Sequence, residues 1–375
     1  MTSSLDHLRK EYPVSRSSIY LDHAAIGPLS RRAVEAMTGA IEDQALSGSS
    51  HWPRWLESLD AAHGLAARLL QAEPEEIAFV KNTSDGISLF ANSLDWPQGS
   101  EVVSVAGEFP SNFVPWKALE RQGVTLRSLP VENGVFTLQA IEAAITPQTR
   151  AVAVSFVQFL SGYRVDLDRL GEICERRGVL LFVDAIQGLG AFPVDVKRSR
   201  IAGLSCAAHK WLTGPLGFGL LYIRRDLADR MDPAIAGWMS VKNWQDYAAR
   251  DIEWRAGARR FECGAPSLAS AYGLAAAAEL LLEAGLDRIA CRVMDLTGHL
   301  RQGLQRQGCA LFGPQSEASQ SGIVTFKPRH GTADQVAQRL AAHGVVGSSR
   351  LGMVRLSPHF YNTHDEIDRA LELLA

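Results

Sequence analysis

Between about residues 60 and 235, short runs of consecutive apolar residues alternate with stretches of helical period. Residues 76–80 read as a strand, and Asn82-Thr-Ser-Asp-Gly opens a helix running through Leu94. Residues 101–106 form the next strand. Gly107-Glu-Phe-Pro-Ser-Asn then leads into a helix containing Trp116. A strand over 151–157 precedes a helix over 166–177, and Val179-Leu-Leu-Phe-Val-Asp184 is an apolar run closed by a carboxylate. Residues 201–207 and 217–223 are further strand-like segments. Runs that are apolar on both faces, separated by helices, belong to a mainly parallel sheet covered on both sides.

From about residue 290 the texture changes. Helices over 295–307, 332–343 and 363–374 alternate with strands over 322–327 and 353–357, which predicts a smaller α+β lobe. The alanine-rich segment 267–283 reads as a helix linking the lobes, and 47–55, with Gly, Ser, His and two Trp, as a loop. The expected organisation is α/β: an N-terminal segment (1–50) joining the small lobe, a large domain (51–285) and a C-terminal small domain (286–375).

Composition changes this picture little. The chain of 375 residues is 46% hydrophobic and 21% charged, with a formal net charge of -3, as expected for a globular protein with no electrostatic case for nucleic acid or an anionic membrane. The amino terminus lacks a signal-type apolar segment, and the most apolar windows are too short to span a bilayer. The five cysteines contain no CxxC pair, so neither a metal site nor a disulfide framework is expected, and the expected compartment is the cytoplasm.

The chemistry lies after the strands, where an open parallel sheet binds its ligands. In order these positions offer Thr83 and Ser84, Glu108 and Phe109, Gln158, Asp184 and Gln187, then His209 and Lys210. Each has a plainer explanation alone: Asp184, Thr83 and Ser84 as helix caps, Phe109 and His209 as core, Lys210 as a snorkelling side chain. Together they suit one cofactor, pyridoxal 5′-phosphate (PLP). Its aldehyde needs an amine, supplied by Lys210, and its pyridine nitrogen stays protonated beside a buried carboxylate, supplied by Asp184. Gln187 suits the ring oxygen, Phe109 the ring face, and the helix start at 82–86 the phosphate.

These motifs, with Tyr20-Leu-Asp-His-Ala-Ala-Ile-Gly-Pro, Phe261-Glu-Cys-Gly-Ala-Pro-Ser and Val354-Arg-Leu-Ser-Pro-His-Phe-Tyr-Asn-Thr, resemble the class V aminotransferases among fold-type I PLP enzymes. That group includes cysteine desulfurases, kynureninase and isopenicillin N epimerase-like proteins. The resemblance implies a homodimer acting on an amino-acid substrate. It makes Lys210 the Schiff-base lysine and proton carrier, and has Thr83, Ser84 and His209 hold the phosphate. Arg355 grips the substrate carboxylate, with His23, Ala25 and Arg350 as further substrate contacts. A phenyl ring at 109 looks like kynureninase, where desulfurases have histidine. Three positions depart from the pattern. No cysteine follows Cys309, where desulfurases carry a reactive thiol just before the Arg355 strand. Ala207 and Ala208 stand where many relatives have a serine, and Ala265 where the family has threonine; Ser205 or Ser267 is the candidate replacement hydroxyl. The expected activity is that of an aminotransferase. Carbon–sulfur β-elimination is the leading alternative, with kynureninase-like hydrolysis or epimerisation behind it. A nucleotide-binding α/β protein using Gly214-Pro-Leu-Gly-Phe-Gly is a remote alternative, since neither GxGxxG after the first strand nor GxxxxGK[ST] occurs.

Overall fold

The computed structural model describes residues 5–248 and 250–375. Its central sheet has seven strands: β1 (Ile77–Val80), β2 (Glu101–Val105), β3 (Thr125–Leu129), β4 (Thr149–Ser155), β5 (Leu180–Asp184), β6 (Gly203–Ala207) and β7 (Gly219–Ile223). They are ordered β1-β7-β6-β5-β4-β2-β3, and only β7 runs against its neighbours. The inner strands β5, β6 and β7 are almost wholly buried, which is why their sequences show no alternation. Strand β3 is absent from the sequence expectation. It lies at the sheet edge with mostly exposed or half-exposed residues, and an edge strand needs no apolar run.

The longer helices are α1 (Arg31–Ser47), α2 (Trp52–Leu70), α3 (Thr83–Ser93), α4 (Leu167–Arg176), α5 (Leu268–Ala284), α6 (Leu286–Arg306), α7 (Ala333–Ala342) and α8 (His364–Leu374), and short helices cover Val114–Ala118 (with Trp116), Leu138–Ala144 and Arg225–Ala228. The loop expected over 47–55 shrinks to the turn between α1 and α2. Gly48, at φ 53°, ends α1, and Pro53 is tolerated in the first turn of α2. Asp43 ties the turn together by accepting from Trp55 Nε1 at 2.6 Å and pairing with His51 Nδ1 at 2.8 Å. Helix α6 begins nine residues earlier than its periodicity suggested, at 286 rather than 295. Gly285, at φ 83°, ends α5 and turns the chain by 79° into α6. No single helix among the described residues is long and apolar enough to cross a membrane.

The C-terminal lobe holds an antiparallel sheet of β8 (Ala310–Phe312), β9 (Val324–Lys327), β10 (Ser348–Arg350) and β11 (Met353–Leu356), ordered β10-β11-β9-β8. Its core gathers Leu300, Phe326, Leu340, Leu356 and Leu371, and Leu21 from the N-terminal segment is part of it. That segment also pairs Ile19 and Tyr20 in parallel with Val345 and Val346. A two-residue turn, Leu351-Gly352 at φ 50° and 76°, joins β10 to β11 and sets Ser348 opposite Arg355 and Arg350 opposite Met353.

A buried ionic cluster fastens α2 to the main sheet. Glu262 accepts from Phe79 N at 2.9 Å and pairs with His63 Nε2 at 2.6 Å and Arg259 Nη1 at 3.5 Å. Although burial acts to raise it, the His63 and Arg259 contacts and the Phe79 N–H bring the Glu262 carboxyl down to about 2. A depressed folded-state value stabilises the protein above the unfolded carboxylate pKa and loses that stabilisation as pH falls toward 2. Glu262→Gln is therefore expected to lower stability at pH 7 by about 3 kcal/mol and to flatten the acid limb of a denaturation profile between about pH 4.5 and 2. Urea titrations of both proteins at several pH values check this. An unchanged acid limb would remove Glu262 from the account.

Candidate active site

Because β1, β2, β4, β5 and β6 run the same way, their carboxyl ends open on one side of the sheet. A cavity of about 360 Å³ lies there, lined by residues including Thr83, Ser84, Phe109, Gln187, His209 and Lys210, with Arg355 and Arg350 reaching it from the small lobe. Ala24 and Ala25 complete the wall. A wider cleft of about 770 Å³ between the N-terminal segment and helices α6 and α8 gathers no comparable set of groups.

Asp184 ends β5, and Lys210 follows the adjacent strand β6, so neighbouring strands deliver both. Asp184 Oδ1 accepts from Ile186 N at 3.0 Å, while Oδ2 is buried with no partner among the described residues. Burial pushes the carboxyl up to about 6, opposed by the Ile186 N–H and the Lys210 charge. Its Oδ2 lacks a donor, and a protonated pyridine nitrogen would supply one together with a charge. Lys210 is 8% exposed, with Nζ 5.4 Å from the centroid of the Phe109 ring. Burial lowers its amine to about 8; Asp184 opposes the fall and Arg355 adds to it. Phe109 is 39% exposed at the cavity wall, and it meets Phe159 edge to face. Gly27 holds the lysine turn from outside. Its N–H donates to His209 O at 2.7 Å, and a Cβ there would lie 2.1 Å from Lys210 O.

At the other end, Asn82 caps α3 by accepting from Asp85 N at 2.9 Å, which leaves earlier N–H groups of the first turn without intrahelical acceptors. Thr83 Oγ1 accepts from Ala207 N at 3.0 Å, so its hydroxyl proton is available to a ligand. Ser84 Oγ donates to Ser111 Oγ at 2.8 Å, and Ser111 lines the same cavity. Sequence reasoning missed Ser111; the signal was its place just after Phe109-Pro110. His209 Nδ1 is buried without a partner, and burial, then the Lys210 charge, lower the ring to about 4, so His209 acts as a neutral group. Within one chain neither candidate replacement hydroxyl lines the cavity. Ser205 Oγ donates to Thr83 O at 3.1 Å and props the α3 start, and Ser267 caps α5 at a separate pocket that also contains Ala265.

Gln187 donates one amide N–H to Ala24 O at 2.9 Å and accepts from Trp211 Nε1 at 2.9 Å, leaving its second amide N–H. Arg355 is 2% exposed. Its Nη1 donates to Phe159 O at 2.9 Å, its Nη2 lies 3.5 Å from Asp22 Oδ1, and its Nε has no partner among the described residues. Asp22 also accepts from Ser348 Oγ at 2.9 Å, and burial raises its carboxyl against the pull of Arg355. His23 is a correction to the sequence reading. It is fully buried outside the cavity wall, with Nδ1 at 2.9 Å from Ser357 O and Nε2 at 2.8 Å from Tyr361 Oη, so both ring nitrogens brace the N-terminal segment against the C-terminal lobe. Glu108 and Gln158 also serve the walls: the first accepts from Ser155 N at 2.7 Å, and the second accepts from Leu160 N and Ser161 N.

The fold, and a lysine and an orphaned acid delivered side by side at the strand ends, define a fold-type I PLP enzyme. The sequence model of the family "Aminotransferase class-V" matches residues 19–370, and the chain belongs to that family. It is 31% identical over 375 residues to an uncharacterized aminotransferase of Bacillus subtilis, covering 99% of this chain and 98% of that protein. A probable cysteine desulfurase of Aeropyrum pernix is 30% identical over 400 residues, covering 98% and 96%. Among solved structures, the apo cysteine desulfurase of Thermococcus onnurineus superposes with a TM-score of 0.91 at 27% identity, covering 100% of this chain and 98% of that one. The protein is thus a PLP-dependent enzyme, an aminotransferase or a related lyase.

Proposed function

We propose that the enzyme transfers the amino group of an α-amino acid, with Lys210 as its sole proton carrier and Arg355 at the substrate carboxylate. One observation carries this reading: among the described residues lining the cavity, Lys210 is the one amine, and it follows the strand next to the one that ends in Asp184. His209 sits at about 4 and Arg355 at about 10, and the facing ring of Phe109 has no proton to give. When bound, PLP supplies the electron sink that makes the substrate's α-hydrogen acidic. Asp184, through its Oδ2, would keep the pyridine nitrogen protonated, and the second amide N–H of Gln187 would serve the ring oxygen. Thr83, Ser84 and the neutral His209 would hold the phosphate at the start of α3. Arg355, at the cavity wall and fixed by Asp22 and Phe159 O, would meet the substrate carboxylate.

A single base removes and returns the proton on one side, which suits amino transfer and elimination and leaves two-base epimerisation without its second group. Sulfur transfer through an enzyme persulfide lacks a nucleophile at the cavity. Among the described residues no cysteine lines it, and the tight Leu351-Gly352 turn joins β10 to β11 where a thiol-bearing loop would stand. β-Elimination is the second reading, favoured by the probable desulfurases among the relatives and served by the same lysine. Incubating the holoenzyme with individual amino acids separates the two. Amino transfer converts bound cofactor to its pyridoxamine form with release of a 2-oxo acid and no ammonia. Stoichiometric ammonia with pyruvate or a sulfur product would replace the first reading by the second.

A further inference from the structure

We infer that the substrate carries a second carboxylate on its side chain, and that Arg350 receives it while Arg355 holds the α-carboxylate. This rests on the assignment of Arg355 proposed above and extends it to the substrate class.

The argument begins with strand register. Ser348 lies directly opposite Arg355 in the β10–β11 pair. Residues opposite one another share a face, and so do residues two apart on one strand. Arg350 therefore projects from the same face as Arg355, on the diagonal, roughly 7–8 Å away at its base. The two-residue turn at Leu351-Gly352 fixes this arrangement, since a slip of one residue would send Arg350 to the opposite face. Both arginines accordingly line the one cavity.

Their surroundings differ. Arg355 is buried and held by Asp22 and Phe159 O. Arg350 is exposed, donates Nη1 to Ser349 O at 2.8 Å, and forms no ion pair with a carboxylate among the described residues. Lys210, Arg350 and Arg355 all line the cavity; of the carboxylates close behind its wall, Asp22 is paired with Arg355 and Asp184 is the acid assigned to the pyridine nitrogen, and neither forms an ion pair with Arg350. The Arg350 charge draws the Asp22 carboxyl down but disfavours the protonated state of both Lys210 and Arg355. A bound anion reverses that sign. The phosphate belongs at the start of α3 and the α-carboxylate at Arg355, which leaves Arg350 for a third anionic group. Aspartate, glutamate and the distal carboxylate of cystine share this chemistry.

The test uses the holoenzyme and unreactive probes, read by calorimetry: succinate and glutarate as dicarboxylates, propionate and butyrate as monocarboxylates. Wild type is expected to bind the better dicarboxylate about tenfold or more tightly than either monocarboxylate. Arg350→Gln should erase that preference while leaving monocarboxylate binding within about twofold, and Arg350→Lys should restore part of it. Turnover with aspartate, glutamate and cystine then shows which source is used. Equal weakening of both probe classes by Arg350→Gln would mean that Arg350 touches the α-carboxylate, and no effect on either would make it a solvated residue; each overturns the inference. Arg355→Gln is the control. If it leaves propionate binding intact, the assignment of Arg355 has failed instead.

Discussion

Lys210→Ala lowers turnover by about 10⁴-fold or more with every amino acid the wild type accepts, and the purified variant can no longer be fixed covalently to its cofactor by borohydride. The variant still folds, because the lysine contributes charge rather than packing to a cavity that already exists beside it. Wild type should show a companion pH effect. The cofactor-free enzyme has its amine at about 8, and only the neutral amine can attack an aldehyde. Cofactor uptake should therefore quicken as pH rises through about 8. Stopped-flow absorbance at several pH values measures this, and Lys210→Ala should abolish the fast phase. Full activity in Lys210→Ala would end the mechanism, whatever the remaining geometry.

Asp184→Asn has the second largest effect, and its two consequences carry opposite signs. The amide keeps the bond from Ile186 N but cannot hold a pyridine nitrogen protonated, so turnover falls by about 10³-fold. Stability of the cofactor-free protein moves the other way. The Asp184 carboxyl is raised to about 6 in the folded state, so between about pH 4 and 6 the native protein binds more protons than the unfolded chain. Wild-type stability then falls as pH rises through that window, by about 3 kcal/mol in total. The asparagine variant has no such loss and should melt at a higher temperature than wild-type apoprotein at pH 7. Adding PLP should reverse that order, because the cofactor brings the missing partner only to the carboxylate. Such an exchange of stability for activity is expected where a buried polar atom waits for a ligand. Calorimetry of both proteins with and without PLP decides it; an apo-state penalty for the asparagine variant would mean that Asp184 serves the fold.

Both residues were legible in the sequence for a local reason. Each closes or follows a buried, mostly apolar strand, so its charge stands out against what precedes it. Helix α3 was legible in the same way, through Asn82 as its cap. What the sequence obscured was every position whose meaning depends on a distant partner. His23 sits in a motif that suggested substrate contact, yet its two nitrogens are used by Ser357 and Tyr361, more than 330 positions away. Ser205 looked available to a phosphate and is instead folded under Thr83. Ser111, unremarked beside Phe109, turns out to line the cavity.

The order of apolar runs and strand-end groups by itself determined a parallel α/β sheet, the amine and acid of the site, and the cofactor they suit. These are consequences of side-chain period and of where a strand stops, and both are written within a few neighbouring residues. Tertiary structure alone decided that Asp22 meets Arg355, that His23 becomes a brace, and that two arginines share one face of a hairpin. Those outcomes depend on register and on contacts between segments from opposite ends of the chain, which packing fixes and local sequence pattern does not encode.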